Sequence, residues 1–217
     1  VKGQGRYVYV DRLAEADRVF VENIGGALVN IASDVKIQVA LDANAVERYR
    51  LIGFENRLLE NHQFADDRVD AGEIGAGHEV TALYEVKLRP GADRLGWLRV
   101  RAKEPGQTVS RLIEEELTTR LLRRSLAEAS ATSRLSVVAA AFAEKLRGSY
   151  WVRNLGWSEI EAQWQGLPVE LRRRQDVAEL GALIRKARAL DTRGDPFERE
   201  LPLASMDFDH LPVTTRR

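Results

Sequence analysis

The sequence predicts an α+β fold: an antiparallel, β-sandwich-like domain, C-terminal helices, and a truncated α/β piece at the N-terminus. Three observations carry this. From Asp34 onward, apolar residues recur at every second position in short runs closed by Gly and Pro, the pattern of half-buried antiparallel strands. From Leu126 to Ala187 they recur at every third or fourth position, the pattern of amphipathic helices. Residues 1–34 hold one short β-prone run and one helical stripe, and a lone strand with a helix cannot bury its own surfaces. The expected units are therefore 1–34, a remnant of an α/β domain; 35–122, the sandwich-like domain; and 123–217, a helical region with an extended tail.

In the first unit, Tyr7 to Val10 is β-prone. Asp11 follows as an N-cap ahead of Leu13, Ala16, Val19 and Phe20 at helical spacing. Gly25 and Gly26 interrupt that helix, and Leu28, Val29 and Ile31 resume its apolar face. In the second unit, Val35, Ile37, Val39 and Leu41 alternate with Lys36, Gln38 and Ala40. A second β-prone run covers Tyr49 to Glu55 and is broken at Gly53. A third strand places Val80, Ala82, Tyr84, Val86 and Leu88 on one face before Arg89-Pro90-Gly91 ends it. Leu98, Val100 and Ala102 form a fourth, closed by Glu104-Pro105-Gly106. Ser110 to Arg124 reads as a strand passing into a helix. In the third unit, Leu126 to Leu146 predicts a long helix stopped near Gly148. Ser158 is expected to cap a short helix ending at Gly166-Leu167-Pro168. Leu171, Val177, Leu180, Leu183, Ile184 and Ala187 predict one more. After Asp191 the composition predicts a tail packed in part through Phe197, Leu201 and Phe208.

Composition narrows function by exclusion. Lys plus Arg and Asp plus Glu stand at 33 each, so no global basic field exists to attract nucleic acid or an anionic membrane. Without cysteine there are no disulfides, thiolate metal sites or cysteine nucleophiles. No apolar run is long enough for a membrane span. The opening residue is Val and no signal peptide follows it, which predicts a fragment or processed product.

Two segments, KIQVALDANAVERYRLIGFENRLL and FADDRVDAGEIGAGHEVTALYEV, together resemble a domain of unknown function that lies C-terminal to von Willebrand factor A domains in bacterial proteins. The preceding GQGRYVYVDRLAEADRVFVENIGGALVNIASDVKIQV resembles the last strand and helix of the A domain itself. Together these cover most of residues 3–102; the helical part from Leu126 to Leu190 fits only loosely. The resemblance implies an adjoining A domain in the full-length chain and an extracytoplasmic or cell-envelope location. The A domain's metal-ion-dependent adhesion site needs an Asp-x-Ser-x-Ser loop, which this sequence lacks, so none of that site is carried over.

Candidate sites remain to be weighed. Asp66, Asp67, Asp70 and Glu73 supply enough carboxylates for calcium, but their spacing departs from the EF-hand pattern and Arg68 sits among them. They read better as a polar turn whose side chains cap backbone N–H groups. Gly72, Gly75 and Gly77 around His78 lead into a strand, whereas a phosphate cradle leads into a helix N-terminus. His62, His78 and His210 are the only imidazoles. No G-x-S-x-G elbow and no clustered zinc ligands accompany them, and His78 reads as a structural hydrogen-bonding residue. Arg120, Arg123 and Arg124, and then Arg172 to Arg174, are expected to pair with nearby acidic stretches such as Glu114–Glu116. Trp151, Trp157 and Trp164 are closely spaced enough to form a binding platform but read better as packing that holds short helices on a core; a partner surface is expected first there and at the C-terminal tail. No catalytic, cofactor or metal residue is therefore assigned. The expected role is a non-catalytic interaction or scaffolding module beside an A domain. The alternative is an adhesion module stabilised by calcium in the Asp66–Glu73 loop.

Overall fold

A computed structural model describes residues 30–53, 58–59, 61–77, 79–193 and 213–215. The expectations for Tyr7–Val29, His78, Phe197, Leu201, Phe208 and His210 lie outside these residues. The fold is α+β with antiparallel sheets. Strands are β1 (Asn30–Leu41), β2 (Val46–Ile52), β3 (Leu58–Leu59), β4 (Gly72–Gly75), β5 (Leu83–Leu88), β6 (Arg94–Lys103), β7 (Arg111–Thr118) and β8 (Val213–Thr215). Helices are α1 (Asn61–Phe64), α2 (Ala131–Arg147), α3 (Trp157–Gln165), α4 (Val169–Arg172) and α5 (Gln175–Leu190).

The larger sheet runs β3-β8-β1-β6-β7, with β4 also paired to β1. A separate two-stranded sheet joins β2 to β5. Direct partners across the three long strands define two faces. Ile37, Val100 and Ile113 form one row and Val39, Leu98 and Glu115 the next on the same face. The opposite face carries Lys36, Arg101 and Leu112, then Gln38, Arg99 and Glu114.

Gly96 sits where β6 crosses closest to β1. Its φ is 143°, and an added Cβ would overlap the Ala40 carbonyl and come within 2.8 Å of Leu41 Cα. Only glycine fits there, and the β6–β7 register shifts beside it.

The helical core is separate in sequence and chemistry. Val138, Ile160, Trp164, Leu167, Val177 and Ile184 are buried together, contributed by α2, α3, α5 and the α3–α4 connection. The Trp164 ring lies against Gly181, so closely that a Cβ there would enter the indole, and its Nε1 donates to the Val177 carbonyl at 2.9 Å.

Several boundaries depart from the sequence reading. Ile31 lies in β1, whose pairing with β4 begins at Asn30, and is not on a helical face. The third strand starts at Leu83, three residues after Val80. β7 passes into a single 3-10 turn, Thr119–Leu121, with no α-helix. The helix expected from Leu126 starts at Ala131, because Ser130 Oγ accepts the Ser133 N–H at 3.1 Å and caps it there. Leu126–Glu128 forms its own 3-10 turn. Gly148 ends α2 in the left-handed region, as expected. Ser158 is not a cap: Gly156 holds that position, and its N–H donates to Glu159 Oε2 at 2.6 Å. The helix read through Leu171 is two helices, α4 and α5, which meet at Arg173–Arg174.

Candidate functional site

The alternating strand Val35–Leu41 would ordinarily turn its polar residues to water. β1 does the reverse. Lys36 is 1% exposed, while Ile37 and Val39 are only half-buried. The reason is the loop that follows α1. It folds over the polar face, and the lysines of that face hold it there.

Lys36 Nζ donates to the Asp66 carbonyl. Lys103 Nζ donates to Asp34 Oδ2 at 2.6 Å and to the Asp67 carbonyl at 2.7 Å. Asp34 Oδ1 accepts the Ala71 N–H at 3.0 Å, and Asp67 Oδ2 accepts the Ser110 N–H at 3.2 Å. Arg101 lies over the Phe64 ring at 5.7 Å, extending the cover by one aromatic. The backbone of the loop is thus paired to side chains of β1 and β6, which satisfies groups that burial would otherwise leave without water.

The electrostatics follow. Burial alone would raise the Asp34 carboxyl, but the Lys103 hydrogen bond, the Ala71 amide and the two lysines hold it below its ordinary value. Burial pushes the Lys36 ammonium down, partly offset by Asp34 and Asp67. The hydrogen bond to Asp34 raises Lys103. Arg68 grips Asp66 through its side chain and its own N–H, pushing that carboxyl down to about 2.

These contacts bear directly on the acidic loop. Asp66 faces Arg68, Asp67 faces Ser110, and Glu73 accepts from the Asn30 amide, so three of the four carboxylates are engaged by different groups. Asp70 also has a partner. Among the described residues no group of three or more His, Asp or Glu side chains is arranged to hold a metal ion. Gly72 and Gly75 are themselves in β4, and Gly77 turns with φ 77°.

The tryptophans do not share a platform. Trp164 is in the helical core. Trp157 meets Phe142 edge-on and donates from Nε1 to Asp191 Oδ2 at 2.7 Å. Trp151 lies 4.8 Å beneath Arg50. The basic runs also find partners other than those expected. Glu114 pairs with Arg99 at 2.8 Å, Arg174 with Asp176 at 2.6 Å, and Arg172 donates to the Leu167 carbonyl at 3.0 Å.

A second polar node joins the small sheet to the helices. Glu144 of α2 is buried and accepts from Arg50 Nη1 at 3.1 Å, from Ser149 Oγ at 2.7 Å, and from Arg147. Arg50 also donates to Glu85 Oε2 at 2.6 Å. Beside it, Ile52, Leu83, Ala140 and Ala143 line a shallow apolar depression between the sheet and α2.

Ile37, Val39, Leu98 and Val100 are half-buried and Ile113 is 57% exposed, so a continuous apolar strip crosses three strands in contact with water. Sequence reasoning missed both this strip and the buried Lys36. The signal was an ordinary alternation, and only the sheet register shows that two lysines and an arginine stand side by side under a loop.

Among the described residues, no helix is long and apolar enough to cross a membrane. The family model described as "Uncharacterized protein YfbK, C-terminal" matches residues 26–92 and 89–190. The protein described as "Uncharacterized protein YfbK" from Escherichia coli (strain K12) is 35% identical over 182 residues, covering 75% of this chain and 31% of that protein. The chain therefore spans about a third of the length of that relative. No solved structure matches.

Proposed function

Because the chain belongs to the family of YfbK C-terminal domains, we propose that it serves as a non-catalytic interaction and scaffolding module within longer proteins of this kind. Its apolar sheet face seats the neighbouring domain and fixes that domain's orientation. By the resemblance of residues 3–39, the neighbour is of the von Willebrand factor A type.

One observation carries the reading: Ile37, Val39, Leu98 and Val100 are only half-buried and Ile113 is 57% exposed, so an apolar strip across three strands keeps contact with water. A contiguous exposed apolar surface marks a contact site in soluble proteins. Val109, at 72% exposed, and Leu112, at 38%, extend apolar surface around the β7 end.

The test is a binding titration between this chain and the neighbouring domain supplied as a separate polypeptide. The expected result is saturable binding that Ile113→Lys weakens at least about tenfold, because the substitution puts a charge on the most exposed apolar residue of the strip. Ile113 is exposed, so the substitution should leave the melting temperature of the chain alone unchanged. Undiminished binding by Ile113→Lys would contradict the assignment of the surface. Turnover of a hydrolytic substrate by the chain alone would contradict its non-catalytic character.

A further inference from the structure

Among the described residues, β7 ends the larger sheet, with β6 on one side and no strand on the other. Arg111 to Glu116 are all exposed, on both faces of the strand. An eight-residue edge strand carrying Leu112 and Ile113 presents a row of backbone donors and acceptors that another strand can complete. Its charge is strongly one-sided. Glu114 is held by Arg99, whereas Glu115 and Glu116 form no ion pair among the described residues.

We propose that β7 receives an extended basic segment of a partner protein by strand addition. The partner's backbone pairs along Arg111–Thr118, with Lys or Arg side chains beside Glu115 and Glu116 and small apolar side chains beside Leu112 and Ile113. Strand addition draws affinity from main-chain hydrogen bonds and specificity from alternate side chains, and this edge offers both. A second copy of the chain suits the edge less well. In the antiparallel register that pairs the full strand with itself, Glu114 of one copy falls opposite Glu115 of the other, and like charges opposed across strands are destabilising. A basic segment reverses that sign. The interaction is distinct from the docking on the apolar face, since it uses the strand's outer edge and its glutamates.

The experiment is a fluorescence-anisotropy titration of the full chain with three labelled octapeptides. The first is Thr-Thr-Lys-Lys-Thr-Val-Val-Thr, which in antiparallel register sets Lys opposite Glu116 and Glu115 and Val opposite Ile113 and Leu112; the second has Glu in place of Lys, and the third is the Lys peptide N-methylated at alternate amides. The Lys peptide should bind at least about tenfold more tightly than the Glu peptide. N-methylation should cost a similar factor by removing the ladder donors. A Glu115→Lys/Glu116→Lys double variant, checked by thermal melting, should lose the preference for the Lys peptide. Equal binding of the N-methylated peptide would overturn the proposal, because charge attraction without pairing would then explain it. Absence of Lys-peptide binding would also overturn it. So would a concentration-dependent dimer that the double variant abolishes, which would assign the edge to a second copy. Each of these results leaves the Ile113→Lys titration readable by itself.

Discussion

Lys36 is buried on a strand whose alternation assigns it to solvent, and its Nζ reaches the backbone of a loop thirty residues on. Its neighbours Asp34, Lys103 and Asp67 complete the knot. The depressed carboxyls fix a pH dependence. A carboxyl whose folded value lies below its unfolded value of 3.8 contributes stability that is present above that value and lost as pH falls through the folded one. Asp34 and Asp67 are lowered, and Asp66 is at about 2. The melting temperature should therefore hold from neutral pH to about 5 and fall between about 4 and 2. Asp34→Asn should lower it at pH 7 and flatten the acid limb; a full-height acid limb in that variant would contradict the role given to Asp34. The same contacts bear on calcium. An ion bound only by the folded state raises its melting temperature by mass action. With the loop carboxylates already engaged, millimolar calcium should leave the melting curve of the chain unchanged, and that of Asp70→Ala likewise. Gly181 makes a different kind of prediction. A methyl there enters the Trp164 ring, so Gly181→Ala should destabilise by about 1–3 kcal/mol, readable by urea titration, with a shift in tryptophan emission.

Strands and helices show which features one sequence makes legible. β1, β6 and the α2 stop at Gly148 follow directly from period and punctuation, because these signals are local. The starts of α2 and α3 were misplaced: apolar residues at helical spacing begin at Leu126, before the Ser130 cap, and Ser158 falls two residues inside the helix that Gly156 starts. The break between α4 and α5 was hidden because Arg173 and Arg174 interrupt neither polarity nor helical propensity. Gly96 precedes the residues read as the fourth strand, and the close approach to Ala40 belongs to the pairing of β1 with β6. Gly96→Ala should force the two strands apart and destabilise by more than the about 1 kcal/mol usual for a glycine replacement at a strained φ. Circular dichroism melts would read it. The burial of Lys36 was illegible for the same reason: alternation tells which residues share a face, and only long-range packing tells which of them a loop covers.

Arg50 and Glu144 form a polar link between β2 and α2. Both side chains are largely withdrawn from water, at 12% and 5% exposed. Removing Glu144 takes the acceptor from Ser149 Oγ and Arg147 as well as one of the two carboxylates of Arg50, so Glu144→Ala should cost about 1–3 kcal/mol. Because Arg50 retains Glu85, the loss should fall mainly on the α2 side, seen as faster amide exchange near Ser149. The proposed docking of a neighbour on the half-buried apolar strip belongs to this scale. The most direct measurement uses the absence of cysteine in this chain. Ile113→Cys introduces a single thiol into this chain, and the maleimide labelling rate at that position, read by peptide mass mapping, is compared in this chain alone and in a longer protein that carries the proposed neighbouring domain. Labelling should be rapid in the chain alone and at least about tenfold slower in the longer protein, since docking buries the thiol. Equal rates in the two would mean that the face stays open, and that it is not where the neighbouring domain sits.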